Sequence, residues 1–151
     1  MTWRSISLLW VALVPFAACR SPSAADAPVE PAIVGEWAGQ HGGAVRASTR
    51  VVRDAAEWAA LWRQIGREAP RAFDPARETA AAIFLGERRT GGYAVESLKV
   101  RREGAMVVLE YRETSPAPDA MVTQVISSPW AVVAISGVDA ASVDVRKVSS
   151  R

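Results

Sequence analysis

The clearest periodic pattern in the chain lies between Asp54 and Gly66. Four apolar residues in this segment recur at intervals of three and four and so share one face of a helix: Trp58, Leu61, Trp62 and Ile65. Asp54 is a good N-cap, Glu57 stands where a capping box needs an acid, and Gly66 is suited to ending the helix. The pattern therefore predicts one amphipathic helix whose two tryptophans pack in the core.

Most of the remaining globular sequence shows short apolar or alternating stretches, which predict strands. The predicted strands cover residues 45–53, 80–86, 93–100, 105–113, 121–126, 130–135 and 142–148. Gly104 stands between the third and fourth of these and predicts a hairpin, and Pro129 marks a bend or a sheet edge. The pattern predicts an α+β fold in which a mostly antiparallel β-sheet of about six to seven short strands packs against the helix.

The start of the chain has the pattern of a secretory signal peptide. Arg4 precedes an apolar run over residues 6–14, which is too short to cross a bilayer as a helix, and small residues follow. We therefore predict a signal peptide at 1–18, a flexible tether rich in Ser, Pro and Ala at 19–32, and a globular domain at 33–151.

The only cysteine of the chain directly follows the predicted signal peptide. The segment Phe16–Cys19 resembles the lipobox of bacterial lipoproteins, although Phe16 stands where that motif usually has leucine. The resemblance implies that Cys19 is acylated and becomes the mature N-terminus, and Arg20 in place of aspartate favours the outer membrane, facing the periplasm or the cell surface. The alternative is ordinary cleavage further along, within residues 23–26.

Composition excludes several classes of function. One cysteine rules out an internal disulfide framework and a multi-cysteine metal site, and 18 basic residues against 16 acidic ones give no field suited to nucleic acid. No recognisable catalytic motif occurs, and His41 reads as an exposed loop histidine within a glycine-rich turn. We therefore predict a protein that is not an enzyme and has no catalytic residues, cofactor or metal.

One segment outside these elements attracts attention because it joins two apolar strands through paired glycines. Gly91 and Gly92 follow Thr90 and precede Tyr93. Paired glycines are needed where the backbone takes a positive φ or where another backbone approaches closely. By itself, this segment also fits a simple tight connection between strands.

Together with other short motifs, this segment resembles a known family. The motifs, in chain order, are Glu57-Trp58 with Leu61-Trp62, Gly86-Glu87-Arg88, Thr90-Gly91-Gly92-Tyr93, Tyr111-Arg112-Glu113, Ser115-Pro116, Gln124-Val125 and Ser128-Pro129-Trp130. They are similar to the PrcB C-terminal domain of protease complex subunit PrcB family proteins, over roughly residues 51–135. Trp130 stands where that family usually has tyrosine. The resemblance implies a lipid-anchored binding or accessory module that supports, targets or inhibits a protease.

Two hypotheses follow for the binding surface. In the first, the module binds a protein partner through an aromatic contact surface that consists of Thr90, Gly91, Gly92, Tyr93, Ser115, Pro116, Pro129 and Trp130. In the second, Tyr93 and Trp130 line a groove for a small molecule or glycan of the cell envelope, which requires a concave pocket that contains both rings. An enzyme would instead need acidic or Ser and Arg side chains that converge in space.

We expect the substitution Cys19→Ser to abolish incorporation of radiolabelled palmitate, because acylation requires the thiol. The protein should then appear in the soluble envelope fraction. Undiminished labelling of the variant would show that Cys19 is not the acylated residue.

Overall fold

The computed structural model describes residues 29–139 and 142–149, which form one helix and seven strands. The elements are β1 (Ala32–Gly39), β2 (Ser48–Val52), α1 (Ala55–Ile65), β3 (Glu78–Phe84), β4 (Ala94–Glu103), β5 (Met106–Thr114), β6 (Trp130–Ser136) and β7 (Val143–Lys147). The predicted α+β class is confirmed. The predicted signal peptide, Cys19 and most of the predicted tether lie outside the described residues.

The strands form two sheets. The first has the order β1-β6-β3-β2 and is antiparallel throughout. The second has the order β4-β5-β7, in which β4 and β5 form the predicted hairpin and β7 adds parallel to β5 as an edge strand. Because β3 and β6 lie in the middle of the first sheet, both of their faces are covered, and every residue of β3 is buried.

The first sheet lies between α1 and the second sheet. Residues of β3 and β6 alternate strictly between the two interfaces. Ala80, Ala82, Phe84, Trp130 and Val132 face the helix. Ala81, Ile83, Ala131, Val133 and Ile135 face the second sheet, where they meet Leu109 and Tyr111. The chain therefore has two apolar cores, one on each face of a shared sheet.

Helix α1 forms for the local reasons that its sequence predicts. Asp54 accepts a hydrogen bond from the backbone N–H of Glu57 at 2.7 Å, and Gly66 ends the helix at φ +76°. The carboxylate of Glu57 accepts from the backbone N–H of Arg53 at 2.7 Å, one residue before the position that a capping box uses. Within the described ranges, no helix is long and apolar enough to cross a membrane.

Four indole rings meet between α1 and the first sheet. Trp62 makes edge-to-face contacts with Trp37, Trp58 and Trp130, at centroid distances of 5.8, 5.4 and 5.7 Å. Trp58 also stacks on Phe73 at 5.2 Å. The prediction that the helix tryptophans pack in the core is therefore confirmed, and the same cluster also takes in β1 and β6.

Strand β1 was not predicted, and its glycines explain both its form and its absence from the sequence pattern. A Cβ added to Gly35 would lie 2.3 Å from the ring of Trp37, and one added to Gly39 would lie 2.8 Å from the ring of Trp130. The two glycines thus leave space for two indoles. They also interrupt the apolar alternation by which strands are recognised.

An ion pair stabilises the segment that connects α1 to β3. The guanidinium of Arg71 donates to both carboxylate oxygens of Glu78, which is 6% exposed, and the backbone N–H of Asp74 donates to the same carboxylate. The bonds from Arg71 hold the pKa of Glu78 below its ordinary value, although burial opposes this. The carbonyl of Arg71 also accepts from the indole N–H of Trp58 at 3.0 Å, so this connection is tied to the tryptophan cluster.

Two sequence predictions about strands need correction. Residues 121–126 are not a strand but part of an exposed loop, since no neighbouring strand pairs with them and Met121, Val125 and Ile126 face solvent. The strand predicted at 45–53 is shorter, because residues 45–47 pass close to Gly86 and Glu87 before β2 begins. Pro129 marks a bend and not a sheet edge, because β6, the strand that follows it, lies between β1 and β3.

We expect Trp62→Ala to lower the free energy of unfolding by about 3–5 kcal/mol, because it leaves a cavity where three other rings meet. Urea denaturation followed by circular dichroism measures the change. The control is Met121→Ala, which truncates a fully exposed apolar side chain and should change stability by less than about 0.5 kcal/mol. Equal losses in the two variants would contradict the central role of the cluster.

Candidate protein-contact surface

Two loops meet at the end of the molecule where β3 and β5 finish and β6 begins. One comprises residues 87–93 and the other residues 115–128, and together we call them the loop platform. Arg88 and Ser127 exchange two backbone hydrogen bonds, at 2.8 and 2.9 Å, and the N–H of Gly91 donates to the carbonyl of Thr123 at 2.9 Å. The hydroxyl of Ser127 donates to the carbonyl of Thr90 at 2.8 Å. The two loops are thus fixed to each other by main-chain bonds.

The paired glycines are required for this junction. A Cβ on Gly91 would lie 2.4 Å from the hydroxyl of Thr123, so a side chain there would push the loops apart. Gly92 has φ +87° and faces Pro116 and Val122 at 3.0 and 3.1 Å from a hypothetical Cβ. Both reasons that the sequence suggested for paired glycines, a positive φ and a close approach, therefore operate here.

The platform carries a group of apolar side chains that face solvent. Met121 is completely exposed, and Val125 and Ile126 are 56% and 63% exposed. Arg89 is exposed beside them and has no acidic partner among residues 29–139 and 142–149. The sequence did not predict this exposed group, because the apolar composition of residues 121–126 predicts a strand.

The predicted site residues divide into those on the platform and those in the core. Thr90, Gly91, Gly92 and Pro116 come together where the two loops meet, whereas Ser115 is exposed and lies beside Lys147 and Val148.

The other three predicted site residues do not offer an exposed aromatic contact. Pro129 and Trp130 are buried, with Trp130 only 1% exposed, because Trp130 begins a central strand and packs on Trp62. Tyr93 is half-buried against the core between the sheets, and the guanidinium of Arg88 lies over its ring at 5.4 Å. The expectation of an exposed aromatic anchor is therefore wrong for Trp130, whereas Tyr93 keeps part of its side chain accessible.

The rings of Tyr93 and Trp130 lie in different parts of the fold and so do not line one groove. Trp130 belongs to the core between α1 and the first sheet, whereas Tyr93 packs against the core on the other face of that sheet. The sheet itself separates them. The indole N–H of Trp130 donates to the carbonyl of His41 at 2.7 Å, which fixes the ring inside its core, while His41 lies exposed in a loop as predicted. A pocket lined by both rings does not exist in this arrangement.

Comparison with known proteins bears on the part of the chain that holds the platform. Residues 79–136 match the family model described as PrcB C-terminal. The predicted resemblance to the PrcB C-terminal family is confirmed. No curated protein and no solved structure matches the chain.

The segment that matches the PrcB C-terminal model runs from the second residue of β3 to the last residue of β6. It therefore contains both central strands of the first sheet, the β4–β5 hairpin and the whole loop platform. Helix α1, whose tryptophan motifs were counted toward the resemblance, lies outside the matched segment.

An ionic network joins the PrcB C-terminal segment to β7. The carboxylate of Glu113, 13% exposed, accepts from Arg88 at 2.8 Å and from Lys147 at 2.6 Å. Burial alone would raise the pKa of Glu113, but the bonds from Lys147 and Arg88 outweigh it and lower the pKa. Glu113 therefore stays ionised near neutral pH and ties the platform, through Arg88, to the edge strand β7.

The described part of the chain shows no candidate metal centre, since no three His, Cys, Asp or Glu side chains within it lie close enough together to hold an ion. Its least exposed carboxylates, those of Glu78, Glu110 and Glu113, each have a basic partner. The loop platform is therefore a surface with a fixed backbone that carries both apolar and basic side chains.

We expect Glu113→Gln to lower the free energy of unfolding at pH 7 by about 1–3 kcal/mol, because it removes the charge-assisted hydrogen bonds that a largely buried carboxylate makes with Arg88 and Lys147. The pKa of Glu113 is lower in the folded state than its unfolded value of about 4.3. Its contribution is therefore present above the unfolded pKa and is lost as the pH falls through the folded pKa.

The measurement is urea denaturation of both proteins between neutral and acidic pH. The difference between them should be constant above about pH 5 and should shrink on further acidification. The control is Glu96→Gln, which alters an exposed pair with Arg112 at 3.9 Å and should have an effect below about 0.5 kcal/mol. A difference that is independent of pH would contradict the role assigned to the carboxylate charge.

Proposed function

We propose that this protein is a non-catalytic accessory module of the cell envelope that binds another protein through the loop platform. In this proposal Cys19 carries the lipid anchor and holds the module at the outer membrane, facing the periplasm or the cell surface. The partner is a protease or a protein of a protease complex, which the module binds, stabilises or inhibits. The match of residues 79–136 to the PrcB C-terminal family supports this class of partner.

The observation that carries the proposal is the exposure of Met121, Val125 and Ile126 on a loop that main-chain bonds hold in place. Because main-chain bonds already hold the loop in place, binding does not incur the entropic cost of ordering its backbone. Contact with a partner would remove their area from water, which is favourable. Arg89 at the edge of the group supplies a charge for orientation and specificity.

The alternative is a small-molecule or glycan-binding domain, and it requires a groove that both aromatic rings line. The described part of the chain does not have such a groove. Its two aromatic residues, Tyr93 and Trp130, lie on opposite faces of the first sheet. No other feature of the described residues favours that function over protein binding.

The experiment that tests the proposal is site-specific photocrosslinking in the native envelope. A photoreactive amino acid replaces Ile126 in one full-length variant and Met106 in the other, which is also exposed but lies at the opposite end of β5. We expect position 126 to give a discrete adduct with another protein that position 106 does not give. Mass spectrometry then identifies the partner.

A second substitution tests whether the apolar group itself makes the contact. Met121→Ser in the crosslinking protein should reduce the yield of the adduct several-fold, whereas Val45→Ser, which changes another exposed apolar side chain outside the platform, should leave the yield unchanged. The absence of a specific adduct from position 126 would overturn the proposal.

A further inference from the structure

Strand β2 has a backbone edge that nothing in the described part of the chain covers. It is the last strand of the first sheet and pairs only with β3, from Ser48 opposite Phe84 to Val52 opposite Ala80. Ser48, Thr49 and Arg50 are exposed. Within residues 29–139 and 142–149, the outward backbone groups of β2 have no hydrogen-bond partner. Such an edge can accept a further strand.

The other edges of the two sheets are modified in ways that hinder strand addition. Strand β1 has an irregularity between Ile33 and Gly35, and β4 has another between Ser97 and Lys99. These two edges also contact each other across the sheets. Strand β7 presents Asp144, Arg146 and Lys147, all engaged in ion pairs. The edge of β2 is regular over its whole length.

A cleft of about 310 Å³ opens beside this edge, between the two sheets. Its lining includes Thr49 of β2, Tyr111 of β5 and Lys147 of β7, with Phe84 and Leu85 beside them. The lining is therefore apolar at its base and polar at its rim. A strand added to β2 would point alternate side chains towards the second sheet, which is where this cleft lies.

Arginines predominate along the edge of β2 itself, while the acids Asp54 and Glu57 lie beyond its end, where they cap α1. Arg46, Arg50 and Arg53 lie in or next to β2, and all three are exposed. None of their guanidinium groups has an acidic partner in the part of the chain that the structure describes. Arg88 and Lys147 add two cations at the cleft, against the single buried carboxylate of Glu113. The edge therefore complements an acidic chain.

We propose that the free edge of β2 binds an extended, acidic segment of the protein partner as an added strand. The inference rests on the proposed function, since it concerns the same partner, and adds a second contact of defined geometry. Backbone hydrogen bonds to β2 supply affinity, an apolar side chain of the segment enters the cleft, and its acids meet the three arginines.

The test uses short synthetic peptides and the full-length, isotopically labelled protein. The probe alternates valine with glutamate, and the two control peptides replace glutamate with lysine or place proline at the centre. We expect only the first peptide to bind in titrations. We also expect it to slow hydrogen exchange of those β2 amides that do not donate to β3, which purely electrostatic binding would not do.

A matched pair of variants tests the charge argument. Arg50→Glu lies on the edge, and Arg63→Glu makes the same change on the exposed side of α1. Arg50→Glu should weaken binding of the acidic peptide about fivefold or more, whereas Arg63→Glu should leave it unchanged. Thermal unfolding of both variants checks that each remains folded.

The outcomes separate this inference from the proposed function. Equal effects of the two variants, binding of the lysine peptide, or binding without protection of β2 amides would overturn it. If position 126 still crosslinks to a partner in that case, the platform proposal stands while the edge proposal fails. If the peptide binds as expected but position 126 gives no adduct, the edge is the binding site and the platform is not.

Discussion

The packing of Trp62 against three other indole rings is the contact on which the rest of the fold depends. The rings come from α1, from β1 and from β6, so a single cluster joins the helix to an edge strand and to a central strand. Large aromatic rings bury more apolar area for each ordered residue than aliphatic side chains do, so α1 covers much of its face of the first sheet with few residues. Gly35 and Gly39 of β1 leave the space that the rings of Trp37 and Trp130 occupy.

The other face of the first sheet depends on the same strands but not on aromatic stacking. Because β3 has three consecutive alanines, Ala80 to Ala82, ahead of Ile83 and Phe84, small side chains face both neighbouring layers along much of the strand. The second sheet then closes over Ile83 and Ile135 with Leu109 and Tyr111. At the end of this second core, the ion pairs of Glu113 with Arg88 and Lys147 take the place of apolar packing. They bring charged groups next to the platform.

Local features of the sequence predicted the local elements well. The helix and its ends follow from spacing and capping that a single segment contains, and the hairpin follows from two alternating strands around Gly104. Features that depend on distant partners were not predictable in this way. Residues 121–126 have the composition of a strand, but their exposed side chains and their bonds to residues 88–91 become evident only when the loops meet. Trp130 begins a strand as its sequence predicts, but the burial of its ring depends on Trp62 and His41, which are distant in the sequence.

The candidate contact regions converge on Arg88. Its backbone exchanges bonds with Ser127 and so fixes the platform, while its guanidinium holds Glu113 and lies at the cleft beside β2. The two sheets contact each other along β1 and β4 but are separated by this cleft near β2 and β7. A partner that covers the apolar group of the platform would therefore lie close to the open side of the sandwich. The guanidinium of Arg88 stabilises the fold beneath that surface, through its ion pair with Glu113 and its contact with the ring of Tyr93.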